Sequence, residues 1–206
     1  MKTQTKETQK AITPKKAVEI LKEGNNRFLK LSQVERDLSL QVTETSSGQY
    51  PFAVILSCID SRVPAELVFD QGIGDIFNIR IAGNLINEDI LGSMEFACKA
   101  AGSKLIVVLG HSSCGAIGGA CDNVKLGNLT RLLEKIQPAI DAVTELGDRS
   151  SSNSEFVQKV AENNVRQSMK LIRDNSPVLS EMFEKQEIGI VGGMYSVETG
   201  EVKFFA

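Results

Sequence analysis

Apolar and polar positions along the chain sort into two patterns. FAVILSC (52–58) and KLIVVLG (104–110) are continuous apolar runs, the pattern of strands covered on both faces. DIFNIRIA (75–82) reads as a further strand. Thr13-Pro14 reads as a cap and a first helical position, and Val18, Leu21, Phe28 and Leu31 give a helical stripe over 14–31. Residues 1–12 read as a frayed polar start and SSGQYP (46–51) as a turn cluster. Pro64 opens a short helix, AELVFD. EDILGSMEFACKAAG (88–102) is helical, with Leu91, Met94, Cys98 and Ala101 on one face and Gly102 as its stop. Asn128 is predicted to cap a long amphipathic helix running through Leu132, Leu133, Ile136, Ile140 and Val143. Another helix covers 153–174, Pro177 starts a short one, and the chain ends as a strand, a turn at Glu198–Gly200 and a return strand.

Strands alternating with helices predict an α/β fold: a mostly parallel β-sheet flanked by helices, with an antiparallel C-terminal edge and an N-terminal helical extension. Residues 1–45 are expected to form a helical arm that packs on a partner subunit, and 46–206 the α/β domain. Sites in such sheets gather at the carboxyl ends of strands. Cys58 and His111 both follow predicted strand ends.

Composition narrows the function. The 206 residues carry a formal net charge of -3, which offers no large basic patch for nucleic acid. MKTQTKETQKAITPKK has no apolar core of a signal peptide, and no run is long enough to span a membrane, so the cytosol is expected. Four cysteines there suggest metal binding or burial before disulfides. Cys98 on its apolar stripe and Cys121 among small residues read as core.

The chemistry concentrates in two segments. In SCIDSR (57–62), an extended backbone would put Cys58, Asp60 and Arg62 on one side. In HSSC (111–114), a three-residue step at a helix start would bring the chain's single histidine and Cys114 to one ion. Two thiolates and an imidazole suit zinc, one Zn2+ per chain, with the fourth position either open for water or filled by Asp60. Arg62 offers Asp60 another partner, holding it ionised and away from the metal. A packed or capping His111, and a purely structural zinc site with Asp60 as permanent ligand, are the alternatives. GHSSCGAIGG lacks both the G-x-G-x-x-G order and a P-loop lysine, which argues against a phosphate-cradling loop.

CIDSR, followed by HSSCG from residue 111, resembles the β-class carbonic anhydrases, over about Gln49 to Gly119. The resemblance implies that Cys58, His111 and Cys114 bind zinc, and that Asp60 with Arg62 forms the dyad that gates and orients a zinc-bound hydroxide. It implies a zinc lyase, a carbonate dehydratase, that interconverts carbon dioxide with bicarbonate and a proton. It also implies a homodimer or higher homo-oligomer. Within the family the chain resembles the plant-type, open-site branch. Gln49, nine positions before the first zinc cysteine, would bind substrate from the neighbouring subunit. Phe77, seventeen after the dyad aspartate, would line the pocket, and Gly115 would give a backbone donor. Two positions depart: Ala82 stands where the branch usually has valine, and Phe96, in the substrate pocket, where it has tyrosine. Ile55 replaces the tryptophan of the branch that binds inhibitory bicarbonate.

These residues would work by metal-hydroxide attack, zinc lowering the pKa of water. Two thiolates would leave that water less acidic than three imidazoles do, favouring alkaline pH. No second histidine is present to shuttle the proton. Two other readings use the same motifs: hydrolysis of a sulfur analogue such as carbon disulfide, and a non-catalytic zinc protein or thiol redox sensor.

Overall fold

The computed structural model describes residues 3–144 and 147–205; residues 1–2 of the predicted frayed start and Ala206 of the predicted return strand lie outside the described residues. Five strands form one sheet: β1 (Ala53–Ser57), β2 (Ile76–Arg80), β3 (Leu105–His111), β4 (Gly189–Tyr195) and β5 (Val202–Phe205). Their order is β2-β1-β3-β4-β5. The first four run parallel and β5 returns antiparallel on β4, as the pattern predicts.

The continuous apolar runs have their reason in the layers. Val54 and Leu56 of β1 and Ile106 and Val108 of β3 face one side. There they meet α5 (Glu88–Glu95), α6 (Gly115–Cys121), α8 (Gln137–Asp141), α9 (Ser154–Asn175) and α10 (Pro177–Glu184). Ala53, Ile55, Leu105, Val107 and Leu109 face the other side, under α2 (Pro14–Leu29) and α4 (Ala65–Val68). Among the described residues, no helix is long and apolar enough to cross a membrane.

The N-terminal arm is fastened to its own chain by side chains that sequence patterning does not weight. Residues 1–12 are not all frayed: α1 (Lys6–Ala11) is held by a capping box between Thr5 and Thr8. Its buried Gln9 donates from Nε2 to the carbonyls of Pro51 and Ala101, both at 2.8 Å. On α2, Ala17 and Leu21 are fully buried against the sheet. Asn25 donates to the carbonyls of Val68 (3.1 Å) and Gly200 (2.9 Å) and accepts from the Val202 amide (2.9 Å). A further helix, α3 (Leu38–Thr45), starts on an Asp37 cap and is anchored by Gln41, whose Oε1 accepts from the Ile73 amide at 3.1 Å. Asp70, buried, is shared by Arg27 at 2.5 Å and Arg36. Part of the stripe expected to face a partner is therefore consumed within the chain, while Leu31, Leu38, Leu40 and Val42 stay exposed.

Two predicted helices are interrupted. The helix predicted from Asn128 through Val143 is two: α7 (Gly127–Glu134), with Leu126 at its cap, and α8. Pro138 is the reason, since it lacks the amide that would continue the ladder. Helix α5 passes at Phe96 into a π-helical turn over Phe96–Ala100, which carries Cys98 into the core. Burial pushes that thiol up to about 12.

Candidate metal centre

Two loops converge at the carboxyl ends of β1 and β3. Cys58 is the first residue after β1, His111 the last of β3, and Cys114 the cap of α6. All three are buried, and their ligand-type atoms lie within 4.8 Å of one another. The two Sγ atoms are 4.0 Å apart. His111 Nδ1 sits 2.9 Å from the Ser112 carbonyl, so it carries the proton and Nε2 is the basic nitrogen. That Nε2 is buried with no hydrogen-bond partner among the described residues. A buried imidazole nitrogen left bare beside two thiols is what a soft-to-borderline divalent cation would satisfy. The donor set suits zinc.

The two thiols titrate as a pair. The Cys114 hydrogen bond, with help from His111 and the Gly83 and Asp60 backbone, holds Cys58 well below the usual thiol range despite its burial. Cys114, bonded to that sulfur and buried, is pushed up. A cation bound between the two sulfurs would displace their protons.

The local geometry of the first segment differs from the extended run expected of it. Residues 58–62 are not extended. The chain bends at Ile59, and a turn over Asp60–Val63, closed by the Val63 amide on the Asp60 carbonyl at 3.0 Å, brings Arg62 onto Asp60. The His111–Cys114 step does lie at a helix start: it is a turn through Ser113, whose φ of 53° is left-handed, with Cys114 the cap of α6.

Arg62 grips the Asp60 carboxylate with both arms of its guanidinium, Nε to Oδ1 at 2.9 Å and Nη2 to Oδ2 at 2.7 Å. Its own amide adds a bond to Oδ1 at 2.9 Å. Those contacts, Arg62 first and His111 further off, hold the Asp60 carboxyl far below the ordinary carboxylate range. Oδ2 nevertheless lies only 3.9 Å from His111 Nε2. The carboxylate thus overlooks the donor cluster while bonded to arginine.

Of the other predicted residues, Gly115 lies beside the cluster, and a side chain placed there would meet nothing within 4 Å. Gln49, Phe77 and Phe96 are not brought to the cluster within this chain. Gln49 lines a cavity of about 400 Å³ with Thr45, Ser46, Ile73 and Gly74. Phe77 and Phe96 meet edge to face, centroids 6.1 Å apart, in a cavity of about 710 Å³ bounded by Asn78, Ile79, Glu88 and Asp89. Phe96 is more than half exposed, on the open side of edge strand β2.

One residue at the site escapes sequence reasoning. Arg80, the last of β2, donates to the Cys58 carbonyl at 3.0 Å and the Asp60 carbonyl at 2.5 Å, bracing the turn that carries both. Its only sequence signal is a charge at the carboxyl end of a strand.

Residues 53–202 match the family described as carbonic anhydrase. Carbonic anhydrase 2 of Mycobacterium tuberculosis is 36% identical over 193 residues, covering 91% of this chain and 90% of the relative. The carbonic anhydrase of Mycolicibacterium smegmatis is 35% identical over 201 residues, covering 92% of each. Among solved structures, the β-carbonic anhydrase CcaA superposes with a TM-score of 0.71 at 26% identity, covering 93% of this chain and 86% of that one. The β-carbonic anhydrase CafA of Aspergillus fumigatus gives 0.70 at 25% identity, covering 81% of each chain. With that sequence match spanning the sheet and both cysteine loops, the chain belongs to the carbonic anhydrase family, in its β class.

Proposed function

We propose that the chain is a zinc enzyme of the open-site kind, in which Cys58, His111 and Cys114 hold the metal and Asp60 stays on Arg62. The observation that carries this is the pair of bonds from Arg62 to both oxygens of Asp60, beside an unpartnered His111 Nε2. Zinc, when bound by three protein donors, supplies a Lewis acid with an open position that lowers the pKa of water.

The chain's own residues do the rest. Arg62 keeps Asp60 ionised at neutral pH, so its carboxylate can only accept hydrogen bonds. Asp60 then fixes the orientation of a protonated oxygen beside the cluster and leaves that oxygen's lone pair for the carbon of carbon dioxide. The Gly115 amide, at the first position of α6 beside the cluster, is the donor for a substrate oxygen as charge develops. The proton leaves through water, buffer or a carboxylate, because His111 is the only imidazole and is committed to the metal.

Substrate binding by Gln49, Phe77 and Phe96 requires a second copy of the chain. Within one chain these side chains lie in cavities away from the cluster, and exposed Phe96, Leu38, Leu40 and Val42 leave apolar surface for an interface. We therefore assign a homodimer or larger homo-oligomer, with residues 1–45 contributing to the contact. Four free thiols suit a reducing compartment, and we assign the enzyme to the cytosol.

The test is a crystal structure of the zinc-loaded protein at neutral pH, with anomalous data at the zinc edge, paired with sedimentation of the same sample. One zinc on Cys58, His111 and Cys114, Asp60 on Arg62, and no monomer is the expected result. Asp60 on the metal, or an active monomer, overturns the open-site or the shared-site assignment respectively.

A further inference from the structure

Cys58 does not stand alone at its strand end. Its Sγ accepts a hydrogen bond from the Gly83 amide at 3.3 Å. That amide belongs to a short turn, Ala82–Asn84, after β2. Two consecutive residues of the turn are left-handed, Gly83 at φ 70° and Asn84 at φ 44°. Glycine takes that conformation freely; asparagine tolerates it at a cost. A Cβ at position 83 would also approach Ile136 Cδ1 to 3.3 Å and Ala116 Cβ to 3.5 Å. A turn built this way relaxes unless something holds it.

The hold comes from the middle of α9. Asn164 Nδ2 donates to the Gly83 carbonyl at 2.8 Å, and Ser168 Oγ donates to the Asn84 carbonyl at 3.2 Å. The two side chains are four residues apart, on one face of the helix, and both are buried. The Asn84 side chain does not do this work, since its Nδ2 is buried with no hydrogen-bond partner among the described residues. Asparagine and serine are poor choices for the interior of a helix by propensity. Buried there, each needs a partner, and both find it on the same turn.

We propose that Asn164 and Ser168 are positioning residues for the metal-binding sulfur of Cys58. Acting through the Gly83–Asn84 turn, they keep the Gly83 amide aimed at Sγ. The inference rests on the reading of Cys58 as a metal ligand. An amide hydrogen bond to a thiolate fixes the direction of the sulfur lone pairs and withdraws charge from it, and second contacts of this kind commonly change metal affinity by about 10–100-fold. Removing the clamp therefore acts on the metal site from a helix that supplies none of its ligands.

The experiment compares wild type with Asn164→Leu, Ser168→Ala and, as control, Ile172→Val, which trims a fully buried apolar side chain of the same helix. Zinc affinity is measured by chelator competition. Cobalt(II) is then loaded in place of zinc, and the thiolate-to-cobalt charge-transfer band is recorded, with thermal melting of each metal-free protein. Both clamp variants are expected to bind zinc about 10-fold or more weakly. Their charge-transfer band moves to lower energy, as the sulfur regains charge. Ile172→Val is expected to lower the melting temperature and leave affinity and band unchanged. Ser168→Ala, the smaller cut, carries the comparison if Asn164→Leu does not fold. Clamp variants that lose stability yet keep wild-type affinity and spectrum overturn the proposal. A wild-type cobalt protein with no thiolate band overturns the ligand reading beneath it, and so separates the two failures.

Discussion

Replacing His111 by alanine should change stability very differently with and without zinc. In the metal-free protein two effects oppose. The imidazole carries a buried Nε2 with no hydrogen-bond partner among the described residues, which costs about 1–3 kcal/mol. Its removal opens a cavity and forfeits the Nδ1 bond to the Ser112 carbonyl, losses of similar size. The metal-free variant should therefore stay within about 2 kcal/mol of wild type, by those same terms. With zinc the balance is one-sided. Four-ligand zinc sites bind with about 10–16 kcal/mol, so one ligand accounts for roughly 2.5–4 kcal/mol, a loss of about 100-fold or more in affinity. At a free zinc concentration of about 1,000 times the wild-type Kd, linkage stabilises wild type by roughly 4.1 kcal/mol and the variant by only about 1.4 kcal/mol. For a chain of this length that is a zinc-induced rise in Tm of roughly 8–16 °C for wild type and about 3–6 °C for the variant. Calorimetry in buffered zinc, on matched metal-free samples, reads both numbers. A variant whose Tm rises with zinc as much as wild type would refute His111 as a ligand.

Arg62→Ala should free Asp60, whose Oδ2 already lies 3.9 Å from His111 Nε2, to close on the metal. Activity should fall about 100-fold, while Tm moves by no more than roughly 2 °C; retained activity would contradict the gate. Asp70→Asn removes the carboxylate that Arg27 and Arg36 share and should cost on the order of 3 kcal/mol at neutral pH. Burial alone would raise the Asp70 pKa, but the two arginines hold it below its ordinary value. Its contribution is thus present above the unfolded carboxyl pKa of about 3.9 and is lost as pH falls through the folded value. The gap between variant and wild type in denaturant melts should narrow toward acid, and a gap that widens would contradict the sign. Bicarbonate should inhibit as a simple product, because Ile55 is fully buried in the sheet and offers no polar handle; a sigmoidal titration of activity near neutral pH would contradict this.

What the sequence showed and what it hid have separate physical causes. The strands at 53–57 and 105–111 were legible because both faces are covered, which leaves no polar position to break the run. The metal cluster was legible because cysteine and histidine at two strand ends have few other joint uses. Helix α1 was not, since it buries a glutamine and no apolar stripe. Helix α3 was not, because Leu38, Leu40 and Val42 are exposed and alternate with a period of two while Asp37 and Gln41 hold the helix. Leu21 of the stripe on α2 is covered by the chain's own sheet, as an ordinary core stripe is, and the pattern alone does not say which surface supplies the cover. Contacts such as Asn164 on Gly83, 81 residues apart, leave no local pattern at all. Alternation along an extended backbone predicts Asp60 and Arg62 on one side, but the backbone turns there, and their proximity comes from the turn itself.

Zinc-dependent hydration at this site is tested most directly by stopped-flow hydration of carbon dioxide with one preparation measured in three states: as isolated with zinc, stripped by chelator, and reloaded with one equivalent of zinc per chain. Activity well above the buffer rate is expected in the first state, loss to the buffer rate in the second, and full return in the third, with the Asp60→Asn variant binding zinc as wild type does but hydrating slowly. Hydration that survives complete removal of the metal, or a zinc-loaded protein that hydrates no faster than buffer, would contradict it.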